Sequence, residues 1–387
     1  MSIYYAPTKV LLEKNAEEEV AKELLLQNAT KVLIHYGSTR IEKDGLLDKV
    51  TTLLKQSGIN YITLSGVVPN PRLSLVHQGI ELGKKEKVDF IIAIGGGSVI
   101  DSSKAIGYGL FNGGEVWDFY SKKRTPLGCT PIGCILTQAA AGSEMSDSSV
   151  ITNDEGMLKR GCNSDYCRLK FALLNPELTY SLPPYQTSCA VVDIMMHTME
   201  RYFITGTTLP LTDNLALSLI KTVMEYGLLA LKEPKNYEAR ATLMWASSIS
   251  HNGLMAVGNV NKGDWAPHQL EHELSGLFDV AHGAGLAAIW SSWATYVCKT
   301  NPARFQKFGE VLFSLPSSAE PSLAIKKMEE FYLELKMPIR ISQMGIKLTE
   351  EEIEILSTKC SFNNTRTIGA LKVLNKEDIK AIYELAK

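Results

Sequence analysis

The stretch that decides the fold is IIAIGGGSVIDSSKAIG, residues 91–107. It begins as an apolar run, passes through three consecutive glycines and a serine, and continues into a segment with helical character. An apolar run without alternation is typical of a strand buried on both faces of a parallel sheet. A buried strand that leads through a glycine turn into a helix is the repeating unit of doubly wound α/β folds.

Three more runs of this kind lie nearby: KVLIHYG (31–37), NYITLSG (60–66) and GCTPIGCIL (128–136). Helix-like segments alternate with them, at 42–57, 72–87 and 99–110. We therefore predict an N-terminal α/β domain over residues 1–184, a Rossmann-like, doubly wound parallel sheet with helices on both faces. Its ligand should bind at the carboxyl ends of the strands.

After Pro183 and Pro184 the pattern changes to long helical runs, and strand-like runs nearly vanish. We predict a second, all-helical domain over residues 185–387, with a ligand cleft between the two domains. The helical runs cover residues 185–204, 211–230, 236–256, 264–276, 284–299, 303–314, 322–336, 349–358 and 375–386.

Composition narrows the class of protein. The 387 residues carry a formal net charge of −2, so no basic excess points to nucleic acid. The N-terminal sequence lacks the charged and apolar regions of a signal peptide, and no apolar stretch has the length of a membrane span. Seven scattered cysteines without a Cys-x-x-Cys pair indicate reduced thiols. We expect a cytoplasmic protein with no nucleic-acid or membrane partner.

The glycine turn itself is a candidate diphosphate site. Gly95, Gly96 and Gly97 allow the backbone to approach a phosphate, and Ser98 and Asp101 open the helix that follows. The N-terminus of that helix offers free N–H groups and the positive end of a dipole. The pattern is neither Gly-x-Gly-x-x-Gly nor a Walker loop, and an ordinary tight turn remains the alternative.

The segment HYGSTRIEK, residues 35–43, follows from the first of these strands. NAD-specific sites often place an acid there to hold the ribose 2′-hydroxyl. Here Ser38, Thr39 and Arg40 precede the first acid, Glu42. Hydroxyls and a guanidinium suit a 2′-phosphate, which predicts NADP(H) over NAD(H). The alternative is that Arg40 is a solvated loop residue.

The stretch DIMMHTME, residues 193–200, places two costly polar groups in an apolar helix. Asp193 and His197 are four residues apart and share one helical face. A buried carboxylate needs a strong partner, which a divalent cation would supply. A hydrogen-bonded core couple is the alternative reading of this pair alone. Glu200 lies on the same face, and we expect it at the surface edge; the alternative is that it supports a metal ligand.

A second polar stretch, DWAPHQLEHELSGLFDVAHGAG (264–285), holds three of the seven histidines, His268, His272 and His282. His268 and His272 are again four residues apart, and no Lys or Arg occurs in residues 265–298. A histidine-rich, apolar region without basic residues is typical of a metal centre. Imidazole and carboxylate ligands suit Fe(II) and Zn(II) alike, so the residue types do not separate these ions.

With these motifs the sequence resembles the iron-containing (group III) alcohol dehydrogenases, and within them the NADPH-dependent butanol dehydrogenases. The resemblance spans nearly the whole chain and implies a two-domain architecture like that of dehydroquinate synthase. Its motifs are YYAPTKV, VVPNPR (67–72), GGGSVIDSSKAI (95–106), LTQAAAGSEMSDSSVITN (136–153), NPELTYSLPPYQT (175–187), DIMMHTMERY (193–202) and HQLEHELSG with HGAGLA (within 268–287).

The resemblance also implies roles for single residues. It makes Asp193, His197, His268 and His282 the metal ligands and His272 the histidine that relays the substrate proton. It implies cofactor contacts from Gly37, Ser38, Asn70, Gly96, Gly97, Ser98, Asp101, Thr137, Lys159 and Leu182. Relatives usually read LTLPATGSE where this chain has Gln138, Ala139 and Ala141, so a threonine hydroxyl near the cofactor is missing.

The expected activity is reversible hydride transfer between NADP(H) and a short aliphatic aldehyde or primary alcohol. We expect one divalent metal ion, Fe(II) ahead of Zn(II), and a homodimer. One alternative is an NAD-dependent polyol dehydrogenase of the glycerol type that uses Zn(II). Another is a non-catalytic protein that binds nucleotide and metal.

Overall fold

A computed structural model describes residues 3–37, 39–206, 208–259 and 261–387. The strands are β1 Lys9–Leu12, β2 Lys31–Tyr36, β3 Asn60–Leu64, β4 Phe90–Gly95, β5 Ile132–Leu136, β6 Ser148–Asn153, β7 Leu158–Asn163 and β8 Phe171–Leu174. The helices are α1 Val20–Leu26, α2 Arg40–Lys43, α3 Leu46–Gln56, α4 Leu73–Glu86, α5 Gly97–Asn112, α6 Trp117–Tyr120, α7 Pro184–Tyr202, α8 Pro210–Lys232, α9 Tyr237–His251, α10 Ala266–Phe278, α11 His282–Val297, α12 Pro302–Phe313, α13 Pro321–Glu334, α14 Glu350–Cys360 and α15 Lys376–Ala386.

The chain divides into two compact units. An α/β unit comprises Tyr5–Leu182 and Pro234–Asn252, and a helical unit comprises Pro183–Glu233 and Gly253–Lys387 with residues 3–4. The segment that carries α9 therefore belongs to the α/β unit, although the sequence pattern places it in the helical domain. Hydrogen bonds hold it there: Gly142 N donates to Ser247 Oγ (3.1 Å), and Ser248 Oγ donates to Glu144 (2.7 Å).

The main sheet has six parallel strands in the order β1-β8-β5-β4-β2-β3. The four strands expected from sequence are β2 to β5, and the structure adds the short edge strand β1 and its neighbour β8. A separate antiparallel hairpin joins β6 to β7. The helix expected over 42–57 is two helices, α2 and α3, separated at Gly45, whose φ of 77° no helix interior accommodates.

Both faces of the sheet are buried, as a doubly wound fold requires. Along β4, Ile91 and Ala93 enter one apolar cluster with α4 and α5, whereas Phe90, Ile92 and Ile94 enter another with α1 and α3. All six residues of β4 are buried. The burial of each such side chain contributes about 1.5–3 kcal/mol, so the unbroken apolar run specifies a central strand. The predicted α/β and all-helical fold class is confirmed.

In the helical unit, α7 is buried without interruption from Ala190 to Tyr202. It packs against α8 and α11, and α10 packs against α11. Glycines permit the close crossings. A Cβ on Gly227 of α8 would lie 2.7 Å from Val191, and one on Gly283 of α11 would overlap the Cys189 carbonyl. The elements that carry the expected metal ligands are thus packed tightly together.

Helix α8 has the length and apolar composition that a membrane span requires, and it is the one such helix in the described part of the chain. In its most apolar window, 39% of the residues are buried inside the structure. Core helices of water-soluble proteins pass the same test.

Candidate metal centre and nucleotide site

Three helices bring the four expected metal ligands to one carboxylate oxygen. Asp193 and His197 lie on α7, His268 on α10, and His282 is the first residue of α11. Asp193 Oδ1 lies 3.6 Å from His197 Nδ1, 3.6 Å from His268 Nε2 and 3.8 Å from His282 Nε2. These separations are long for hydrogen bonds, but they suit donors that share an ion through bonds of about 2.0–2.2 Å.

Two of these donor atoms lack any other partner. Asp193 Oδ1 and His268 Nε2 are buried, and neither has a hydrogen-bond partner among the described residues. A buried carboxylate oxygen left in this state costs several kcal/mol, which a cation would offset. The geometry therefore disfavours a simple hydrogen bond between Asp193 and His197 and fits a bound metal ion.

Two further carboxylates lie behind the histidines. His268 Nδ1 donates to Glu200, and His282 Nδ1 donates to Glu271. Both glutamates are fully buried, so the expectation that Glu200 lies at the surface edge is wrong. Burial lowers the pKa of the His268 imidazole, but the charges of Glu200 and Asp193 outweigh burial and raise that pKa to about 9. The sequence analysis did not single out Glu271.

Access to the ligand set differs from residue to residue. The side chains of Asp193, His197 and His268 are 5%, 6% and 8% exposed, whereas that of His282 is 28% exposed. The ring of His272, the expected proton relay, lies 5.9 Å from the His282 ring. The open side of the centre is therefore the side of His282, and His272 stands beside that ligand.

Trp265 holds a strained backbone next to the ligands. It precedes α10 in the left-handed region with a φ of 64°, which is rare for a bulky residue. The Arg201 guanidinium lies 4.5 Å from the indole and donates to the His197 carbonyl at 2.7 Å. The indole ring also lies 5.6 Å from the His268 ring. Trp265 and Arg201 thus brace the ends of the two ligand helices.

In the α/β unit, the glycine turn lies where β4 meets α5. Gly95 ends the strand, and Gly97 is the first residue of the helix. A Cβ on Gly97 would lie 2.8 Å from the Ala141 Cβ, and one on Gly96 would lie 3.1 Å from the Gln138 Cβ. The turn therefore requires glycine for steric reasons, which leaves the first residue of a 16-residue helix without a side chain at the expected diphosphate site.

Asp101 and Lys104 of α5 anchor the loop that follows β5. Asp101 accepts hydrogen bonds from Ser143 Oγ (2.5 Å) and Val150 N (2.9 Å). The fully buried Lys104 ammonium donates to the carbonyls of Ser143 and Ser148, each at 2.7 Å. The expected cofactor contact of Asp101 stays a prediction, and in the structure both of its oxygens accept hydrogen bonds from the protein.

Two of the other expected cofactor residues lie at the carboxyl edge of the sheet. Gly37 follows β2 and Thr137 follows β5, the two neighbours of β4. Thr152 links two more, because its N–H donates to Pro71 O beside Asn70 (2.8 Å) and it pairs with Lys159 across the hairpin. Leu182 ends the main segment of the unit. Ser38 lies outside the described residues.

A cavity of about 360 Å³ lies at this edge. Arg40 and Thr137 line it, as expected for cofactor residues, and Arg40 Nη1 donates to Ser181 Oγ at 2.7 Å. Lys235 also lines it, from the segment that carries α9, and sequence analysis missed this residue because it placed the segment in the other domain. Its remaining lining residues are Ile41, Asp44, Leu46, Glu177, Leu178, Tyr180 and Ser181.

Family models cover both halves of the chain. Residues 7–176 match the model of the iron-containing alcohol dehydrogenases, and residues 187–387 match the C-terminal model of the Fe-containing alcohol dehydrogenase family. The chain belongs to the iron-containing alcohol dehydrogenase family. It is therefore an oxidoreductase, and the non-catalytic alternative falls away.

Similar members of the family differ in their named cofactor. NADH-dependent butanol dehydrogenase A of Clostridium acetobutylicum is 36% identical, with 98% of each chain covered. The crystal structure of NADH-dependent butanol dehydrogenase A from Thermotoga maritima has a TM-score of 0.96 at 35% identity, covering 99% of this chain and 98% of that one. The NADPH-dependent aldehyde reductase YqhD of Escherichia coli is 30% identical over 99% of this chain and 98% of its own.

Proposed function

We propose that this alcohol dehydrogenase transfers hydride between NADP(H) and a short aliphatic aldehyde or primary alcohol, at one Fe(II) ion. Asp193, His197, His268 and His282 would hold the ion. The observation that carries the proposal is the buried Asp193 Oδ1, which lies within 3.8 Å of nitrogens from three histidines. Zn(II) would suit the same donors.

A divalent ion bound there supplies a Lewis acid that polarises a carbonyl or acidifies an alcohol. The nicotinamide supplies the hydride chemistry. The chain supplies the rest: Asp193 and the imidazoles fix the ion in a dry site, and the partly exposed His282 leaves one side open. His272, beside His282, accepts the alcohol proton or returns it through water, a role that an imidazole serves in general acid–base catalysis.

The surroundings favour a small, uncharged substrate. Residues 265–298 contain no Lys or Arg, so this stretch offers no cation to a multiply anionic substrate. Buried apolar side chains of α7, such as Met195 and Met196, flank the ligands along that helix. Butanal and its neighbours in chain length are the aldehydes that we would test first.

The preference for NADPH is also a proposal. Arg40 and Lys235 supply two cations to the cavity at the carboxyl edge of the sheet, where a 2′-phosphate would gain from both. No acid occurs in residues 37–41, which follow β2. Glu42, the first acid after them, accepts a hydrogen bond from Tyr36 at 2.7 Å. Two acids also line the cavity: Asp44, 4.0 Å from Arg40, is 53% exposed, and Glu177, which pairs with Lys14 at 3.1 Å, is 38% exposed. Solvent therefore screens both carboxylates.

The test is a comparison of kcat/KM for NADPH and NADH with butanal, after anaerobic reconstitution with Fe(II) or Zn(II). We expect higher values with NADPH, and Lys235→Gln should lower kcat/KM for NADPH while sparing NADH. Lys235→Arg is the matched control and should keep the preference. Equal loss with both cofactors in Lys235→Gln, or a wild-type preference for NADH, would contradict the proposed specificity. Glycerol oxidation with NAD⁺ and Zn(II) would favour the polyol alternative instead.

A cytoplasmic homodimer completes the proposal, on the strength of the composition and of the family resemblance. Sedimentation of the purified chain would test the oligomeric state, with a monomer as the contrary result.

A further inference from the structure

A short spacing occurs twice around the metal centre. His197 is followed after three residues by Glu200, and His268 is followed after three residues by Glu271. Residues three apart on a helix lie on the same face, so each glutamate points toward the region that its histidine faces. Both pairs lie in helices, α7 and α10, and both glutamates are fully buried.

Each glutamate contacts the ligand histidine of the next ligand-bearing helix in the chain. Glu200 of α7 accepts from His268 of α10, and Glu271 of α10 accepts from His282 of α11. Helix α7 thus supplies two ligands and the carboxylate behind His268, and α10 supplies one ligand and the carboxylate behind His282. A ring N–H that donates to a carboxylate fixes the tautomer, which leaves Nε2 as the metal-binding atom. The Nε2 atoms of His268 and His282 are the ones that lie 3.6 and 3.8 Å from Asp193 Oδ1.

Each carboxylate is itself held in place. Glu200 accepts a second hydrogen bond from the His268 backbone N–H at 3.0 Å. Glu271 accepts from Ser275 Oγ, one turn further along α10. A Cβ on Gly285 of α11 would lie 2.9 Å from Glu271 Cγ, so the absence of a side chain at Gly285 lets the Glu271 side chain approach α11. If either glutamate changed its rotamer, it would lose these hydrogen bonds.

We propose that Glu200 and Glu271 are positioning residues that orient His268 and His282 through their Nδ1 atoms and raise the affinity of the centre for a divalent ion. The inference rests on the proposed metal site. With Asp193 they place three buried carboxylates around the imidazoles, and a dication offsets more of that negative charge than a monovalent ion does. Removal of one carboxylate should weaken divalent binding about 10–100-fold.

The experiment measures Zn(II) affinity of the full chain by competition with a chromophoric chelator, for the wild type and for Glu200→Gln, Glu271→Gln and the two Ala variants. Glutamine keeps an oxygen that accepts from Nδ1 but removes the charge, whereas alanine removes both. We expect each Gln variant to lose about 10–100-fold in affinity and each Ala variant to lose more. Circular dichroism and the Tm of the metal-free proteins report on folding, and the two glutamates test the inference independently.

Glu273→Gln is the matched control, because Glu273 is a buried carboxylate on α10 two residues after Glu271, and residues two apart on a helix do not share a face. It should bind Zn(II) like the wild type. Wild-type affinity in both Gln variants, or an equal loss in Glu273→Gln, would overturn the positioning role. No specific Zn(II) or Fe(II) binding by the wild type would overturn the proposed metal site itself, a different result.

Discussion

The turn between β4 and α5 offers a quantitative test of how the nucleotide end is built. Gly97→Ala would place a Cβ 2.8 Å from the Ala141 Cβ, well inside the 3.5–4.0 Å optimum for two carbons. Overpacking of this kind costs about 1–3 kcal/mol. The loss of glycine entropy in the unfolded chain returns about 0.4–1 kcal/mol. We therefore expect a net destabilisation of about 1–2 kcal/mol and a Tm lower by several degrees.

The same shift should displace the backbone N–H groups that would face a diphosphate. We expect the KM for NADPH to rise several-fold, since about 1 kcal/mol corresponds to about a fivefold change. Ala141→Gly removes the clashing methyl, so the double variant Gly97→Ala/Ala141→Gly should recover most of both losses. The assay is a double-mutant cycle on Tm and on the KM for NADPH. Effects of the two substitutions that add within about 0.5 kcal/mol would refute the reasoning.

Three further predictions concern two buried polar groups and the expected proton relay. Burial lowers the pKa of His35 from 6.5 to about 4, so the stability that the neutral imidazole contributes is present above pH 6.5 and is lost as the pH falls toward 4. In urea unfolding between pH 7 and 4, His35→Gln should therefore reduce the loss of the free energy of unfolding by about 3 kcal/mol. An unchanged pH dependence of that free energy would contradict this prediction. Lys104→Met leaves the carbonyls of Ser143 and Ser148 without their ammonium donor; we expect about 3 kcal/mol of destabilisation by thermal unfolding, and a stability equal to the wild type would be the contrary result. His272→Ala should retain its metal by elemental analysis while kcat falls and its pH dependence shifts, whereas unchanged pH–rate profiles would remove the relay role.

The parts of the fold that sequence predicted well are those with long, regular patterns. The strand in DFIIAIGGG is buried on both faces, so its apolar run admits few other readings. The four-residue strands β1 and β8 were missed, because KVLL and FALL are too short to separate a strand from a helix by periodicity. The β6–β7 hairpin is rich in serine, threonine and asparagine and carries no apolar alternation. Helix α9 was assigned to the wrong unit because a helical sequence pattern does not indicate which elements the helix packs against.

In the candidate site, too, some residues carried a clear sequence signal and others did not. Asp193 and His197 were visible because two costly polar groups interrupt an apolar helix, and His268 and His282 because histidines cluster there. Glu200 was expected at the surface edge because a glutamate on a helix is usually exposed, and Glu271 could have been found from the repeated His-x-x-Glu spacing. No sequence pattern indicated a role for Lys235, because it belongs to the α/β unit only through the return of residues 234–252 to that unit.

The central claim is that Asp193 anchors a divalent metal ion on which hydride transfer depends. The most direct measurement is iron content and NADPH-dependent butanal reduction, side by side, in the wild type and in Asp193→Ala after anaerobic loading with Fe(II). The account predicts about one iron per wild-type chain with activity, and neither iron nor activity in a folded Asp193→Ala protein. An Asp193→Ala protein that reduces butanal at the wild-type rate would contradict it.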